Sequence, residues 1–165
     1  YIMAASVAVK VKRDGVLTLT DGAAATYTVA YENGNVSFDG GSKASRVVIM
    51  DRGTIVGLRK GDDPVPTLTF DVHMRDFTDG TALALINFLD KTGSASGQTS
   101  VGGSAYEQYM IDVTLTIEGT SIGDTADHSA KANTCLCTWS FAEGDPDTIS
   151  VSCEVYEGFT FTGQA

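Results

Sequence analysis

The second half of this sequence is short of cations. Residues 92–165 hold one basic side chain, Lys131, against ten carboxylates, whereas residues 1–91 hold ten against eleven. With a formal charge of −10 on 165 residues, repulsion excludes a non-specific grip on nucleic acid or on an anionic membrane. No apolar run approaches the roughly 20 residues that a spanning helix needs. The opening YIMAASVAVKVKR carries its charge after its apolar part, the reverse of a secretory leader. The expectation is a soluble chain in a reducing cytosol, without membrane insertion. Cysteine is sparse as well. Three cannot all pair, and the C-L-C of Cys135 and Cys137 is not the C-x₂-C spacing of a zinc site, so buried free thiols are expected. A cross-strand bond fits only between Cys137 and Cys153.

Catalytic constellations are missing too. His73 and His128 lie far apart in sequence, and neither is accompanied by a nucleophile motif or metal-ligand spacing. The glycine-rich GQTSVGG lacks the lysine of a phosphate-binding loop. Asp62 and Asp63 precede a proline as turn residues, and GDPD does not match a calcium loop. The sequence implies no enzyme, no cofactor and no metal.

What it does contain is alternation. In TCLCTWSFAEGDPDTISVSCEV, Cys135, Cys137, Trp139 and Phe141 share one parity, and Ile149, Val151, Cys153 and Val155 share one in the second arm. This is the period-two pattern of half-buried strands. With residues 143–147 as the loop, Phe141 opposes Ile149, Trp139 opposes Val151, Cys137 opposes Cys153 and Cys135 opposes Val155. A slip of one residue would turn one arm's apolar set outward, so the pattern fixes its own register. Trp139 is thereby assigned to the packed face.

Further strands are expected at residues 6–12 and 16–20, joined by a three-residue loop that ends in Gly15 and sets Val11 against Leu17. Residues 25–32 and 35–39 form a hairpin around Asn33-Gly34, and strands follow at 46–50, 54–59 and 109–118. In TLTFDVHM, the residues Leu68, Phe70, Val72 and Met74 define a dry face, and Thr67, Thr69, Asp71 and His73 a wet one. A single helix capped at Thr78 or Asp79, with the stripe Ala82, Leu85, Ile86 and Leu89, stops at Gly93. Residues 92–105, TGSASGQTSVGGSA, cannot bury enough apolar area to offset the entropy of ordering, so a mobile polar loop is expected. Nothing divides the chain, and residues 1–165 read as one domain. The fold class is mainly β, an antiparallel sandwich or barrel with one flanking helix.

The order of these elements (TLTFDV, the helix TDGTALALINFLDKTG, a polar connection, the strand YMIDVTLTIEG and the closing ribbon) resembles the tail tube proteins of long-tailed, siphovirus-like bacteriophages. That resemblance implies six-membered rings stacked into a hollow tube in the virion tail, assembled in the host cytoplasm. It further implies contacts with other tail proteins and viral DNA passing through the bore without specific binding. An acidic bore would let DNA slide. Thr67, Thr69, Asp71 and His73 are then candidates for the channel wall. Arg59, Lys60, Thr92, Gly93, Gly97, Gly102 and Gly103 are candidates for contacts between subunits. Two other readings are a related secretion-system tube protein and a carbohydrate-binding β-sandwich module. The latter needs an aromatic platform, for which Tyr27, Tyr31, Tyr106 and Tyr109 are available.

Overall fold

The computed structural model describes residues 15–29, 35–41, 45–74, 84–119 and 126–163. The strand expected at residues 6–12, its loop to Gly15 and both proposed helix caps lie outside them. The described elements are β1 (Gly15–Thr20), β2 (Thr26–Val29), β3 (Ser37–Asp39), β4 (Arg46–Asp51), β5 (Thr54–Lys60) and β6 (Thr67–His73). They continue with α1 (Leu85–Asp90), β7 (Ile111–Ile117), β8 (His128–Ala142), β9 (Thr148–Val155) and β10 (Phe159–Thr162). The described residues are mainly antiparallel β with one short α-helix, as expected.

One sheet runs in the order β2-β1-β7-β8-β9-β6-β3, and β10 also pairs with β8. The β8–β9 register is the expected one at every position, including Trp139 with Val151 and Cys137 with Cys153. One face of this sheet is the core. Leu17 and Leu19 of β1, Leu68 and Phe70 of β6, Val113 of β7 and Val151 and Val155 of β9 are almost fully buried there, with Phe88 of α1 packed over them.

The long strand β8 organises the fold. Its first half lies between β7 and β10, and its second half pairs with β9. A bulge separates the halves: Val113 faces Ala132 while Ile111 faces Cys135, and Thr134 takes a left-handed φ of 52°. Opposite that bulge, residues 156–158 interrupt the partner strand, with Tyr156 N–H donating to Thr134 O at 3.0 Å. Thus β9 and β10 are two parts of one interrupted strand that follows β8 along its length.

Several expectations need correcting. Residues 25–32 and 35–39 do not form a hairpin: β2 pairs with β1 and β3 with β6, at opposite ends of the strand order. Ala84 is extended at φ −84° and ψ 147°, so the helix begins at Leu85, past the expected caps and past Ala82. It ends at Lys91 with φ 54° rather than at Gly93. Cys137 and Cys153 are bonded to each other, not free, because the register brings their Cα atoms to 4.0 Å, and Cys135 alone is a buried free thiol. Trp139 and Phe141 are 37% and 41% exposed rather than packed. Beyond Cys135, β8 has β9 on one side and no described ladder on the other, so the core thins beneath them.

Candidate functional site

Alternation along β6 sends Thr67, Thr69, Asp71 and His73 to the face opposite Leu68, Phe70 and Val72. The ladders extend this polar face sideways. Thr69 lies opposite Ser152, which lies opposite Thr138, and Asp71 opposite Ser150, which lies opposite Ser140. These two rows of short hydroxyl and carboxylate side chains line a shallow depression of about 350 Å³. Thr67 and Glu154 form the row at one end, and His73 and Thr148 the row at the other. On the far side Asp39 faces Thr67 and Ser37 faces Thr69.

The charge on this face has one sign. Asp39, Asp71 and Glu154 are its carboxylates, and neither β3, β6, β9 nor the Cys135–Ala142 half of β8 contains a lysine or arginine. Asp71 Oδ2 accepts a hydrogen bond from Asn35 Nδ2. His73 is half-buried, and its Nδ1 meets no partner among the described residues. The four residues expected on one wall therefore do share one face.

The candidates Arg59 and Lys60 lie elsewhere, at the base of the two-stranded ribbon β4–β5. This ribbon makes no ladder to the main sheet, and none of its residues is buried. Val47, Val48, Ile49, Met50, Ile55, Val56 and Leu58 are 38–68% exposed. Lys60 Nζ meets Asp63 Oδ1 at 2.5 Å, an exposed pair of small energetic weight.

Thr92, Gly93, Gly97, Gly102 and Gly103 sit in the polar connection after α1, apart from both surfaces. Thr92 N–H donates to Asn87 O at 3.1 Å and helps close the helix. Gly102 has φ 84°, and a Cβ there would meet Tyr106 Cδ2 at 2.5 Å, so only glycine fits. The connection has an anchor that composition does not reveal. Asp21, 4% exposed, accepts Ala23 N–H and Ala25 N–H at 2.9 and 2.7 Å through Oδ1, and Thr99 N–H at 3.0 Å through Oδ2. One carboxylate thus closes the β1–β2 turn and fastens a segment 78 residues away. Beside it, Tyr109 donates to Gln98 Oε1 at 2.6 Å. Burial, with the Asp21 charge adding to it, pushes the Tyr109 hydroxyl up to about 12.

Among the described residues no group of three or more His, Cys, Asp or Glu side chains is arranged to hold a metal, and no helix is long and apolar enough to cross a membrane.

No family model and no curated protein matches this chain. Solved structures do. The chain is similar to a chain of an extracellular contractile injection system, the PVC sheath–tube complex in its extended state, with a TM-score of 0.57 and 9% identity over 98% of this chain and 93% of that one. It is also similar to a chain of the six-fold symmetrised anti-feeding prophage (AFP) baseplate, with a TM-score of 0.53 and 8% identity over 98% of both. At such identities the likeness is one of fold, and it spans nearly the whole of each chain.

Proposed function

We infer that this chain is a structural subunit that assembles with copies of itself into stacked rings, forming the hollow tube of a tail-like particle. The observation that carries the reading is the polar face of β3, β6, β9 and the second half of β8, with three carboxylates, rows of Ser and Thr, and no lysine or arginine. A bore lined in this way holds neither a phosphate backbone nor an acidic cargo at any one ring, so a passenger slides. Thr67, Thr69, Asp71 and His73 are assigned to that wall. Similarity to chains of two contractile injection assemblies supports the tube reading. It also favours an injection-type particle over the siphovirus-like phage tail that the sequence resembles. Six-membered rings and the passage of DNA belong to this proposal, as does the absence of catalysis.

A carbohydrate-binding module is the second reading, and the exposure of Trp139 favours it. Its indole N–H, however, is already donated to Asp90 Oδ2 at 2.8 Å. Negative-stain electron microscopy of the purified chain over rising concentration separates the two. Rings or hollow filaments are expected, and a monomer at every concentration that is retained on a glycan array overturns the tube.

A further inference from the structure

Beyond Cys137 the strand β8 is an edge. Residues 138–142 pair with β9 on one side, no described strand lies on the other, and none of their side chains is buried. Besides that ladder, Thr138 Oγ1 donates to Ser152 O at 3.2 Å and Trp139 Nε1 to Asp90 Oδ2 at 2.8 Å. Apolar burial contributes little to holding this segment, and a segment held in that way opens at a small fraction of the free energy that unfolds the core. The strand β9 is different. It has β6 on its other side and buries Ile149, Val151, Cys153 and Val155.

The Cys137–Cys153 bond stands at the root of the edge and ties it to that core strand. Its two sulfurs differ in access. Cys153 is fully buried, whereas Cys137 is partly exposed, so a dissolved thiol or disulfide reaches the pair through Cys137 Sγ. Cys135 lies one row deeper on the same face, opposite Val155, fully buried and with its thiol donating to Ala132 O at 3.5 Å. Burial also pushes that thiol up to about 12, so at neutral pH it supplies next to no thiolate to reshuffle the pair.

We propose that Cys137 and Cys153 form a reversible redox latch: as a disulfide they fix the β8 edge against β9, and as two thiols they let residues 138–142 come away while the core stays folded. A low-molecular-weight disulfide of the glutathione class closes it. The Cys137 thiolate attacks one sulfur of that molecule and expels the other half as a thiolate. The Cys153 thiolate then attacks Cys137 Sγ and expels the second half. The protein gives up two protons and two electrons, and the small disulfide is reduced to two thiols. A small thiol in excess reverses both steps. The register does not depend on the bond, because the alternation of the two arms already sets Cys137 against Cys153, so an opened latch recloses on the same partner. Thr138 and Ser140, which extend the polar rows of Ser152 and Ser150, move with the edge. The redox state of the surroundings thus decides whether that end of the polar face is ordered. Neither ring formation nor a bore enters the inference, so it holds or fails independently of the tube reading.

Trp139, the one tryptophan of the chain, reports on the edge directly. In the full chain at neutral pH without denaturant, dithiothreitol is expected to open the bond and to raise acrylamide quenching of Trp139 about twofold or more, with the far-ultraviolet circular dichroism unchanged. Oxidised glutathione is expected to restore the bond and the low quenching together. Cys137→Ala with Cys153→Ala should show the high quenching under both conditions, and Cys135→Ala should switch as the parent does. A bond that dithiothreitol opens only in denaturant, a reduced chain that unfolds altogether, or a folded reduced chain whose Trp139 is quenched no more than before overturns the latch. A folded Cys135→Ala variant that no longer switches overturns it as well. Should the double variant fail to fold, reduction and reoxidation of the parent decide the matter alone.

Discussion

Asp112 accepts the backbone N–H of Thr134 at 2.9 Å across the β7–β8 ladder, and its other oxygen meets Lys131 Nζ at 2.8 Å. The bond holds Thr134 in the left-handed conformation that makes the bulge, where a non-glycine residue costs about 1 kcal/mol or more. Lys131, the only lysine or arginine after residue 91, is thereby paired with the carboxylate that holds the bulge, although its side chain stays 40% exposed. Asp112→Ala is expected to lower unfolding stability by about 2 kcal/mol, since the amide of Thr134, itself buried, loses its partner. Asp112→Asn should cost less, because an amide oxygen still accepts. In the Asp112→Ala background, Thr134→Gly should return about 1 kcal/mol by relieving the backbone. Urea midpoints measure all three, and an Asp112→Ala variant as stable as the parent would show that the bulge holds itself.

The Cys137–Cys153 bond joins two strands at directly opposed positions, closing a loop with a sequence separation of 16. Removing it by Cys137→Ser is expected to cost about 3 kcal/mol, chiefly through the greater freedom of the unfolded chain. Thiol titration in denaturant without reductant should find one group per chain, Cys135, and three after reduction. Three before reduction would contradict the bond.

Two groups make the fold sensitive to alkali. Burial, reinforced by the charge of Asp112, pushes the Cys135 thiol from an ordinary 9.0 up to about 12, and burial with Asp21 moves Tyr109 from 10.0 up to about 12. Both folded values exceed the unfolded ones, so the native state retains these protons more tightly. The stability they contribute is complete below pH 9 for the thiol and below pH 10 for the phenol, and is lost as pH rises toward 12. Urea midpoints should be level with respect to these two groups up to about pH 9 and then fall. Cys135→Ala should flatten the fall from pH 9, and Tyr109→Phe its part above pH 10. A fall with the same slope in both variants would assign the alkaline limit to other groups.

The legibility of this chain follows from the range of the interactions involved. The β8–β9 register was readable because the two arms are close in sequence and each bulky residue meets a bulky partner. The wet face of β6 was readable from alternation alone, but its continuation through Ser150, Ser152, Thr138 and Ser140 needed two ladders. Asn33-Gly34 gave a strong local turn signal, yet β2 and β3 found partners in β1 and β6, which propensity near the turn does not encode. The strand β10 went unread because its partner half of β8, with Ser129, Ala130 and Ala132, is too small and mixed to show a period. The role of Asp21 was invisible for the same reason, since its third donor is Thr99. The exposure of Trp139 depended on where β7 ends, which is a property of the sheet and not of the ribbon.

The sign of the polar face can be changed without touching the core, because Ser150 and Ser152 alternate with the buried Val151 and Cys153 and are themselves exposed. Ser150→Lys with Ser152→Lys adds two cations per subunit beside Asp71 and Glu154. If this face lines the bore, rings of such subunits present a repeated basic band where the parent presents only carboxylates. Assembly should survive, since both serines are exposed and the substitutions leave the buried Val151 and Cys153 in place. Single-stranded DNA should then co-sediment with filaments of the variant at low salt and be released as salt rises, because each phosphate contact frees counterions. Parent filaments should retain none under either condition. Filaments of the variant that bind no more DNA than the parent would remove this face from the bore, and with it the assignment of Thr67, Thr69, Asp71 and His73.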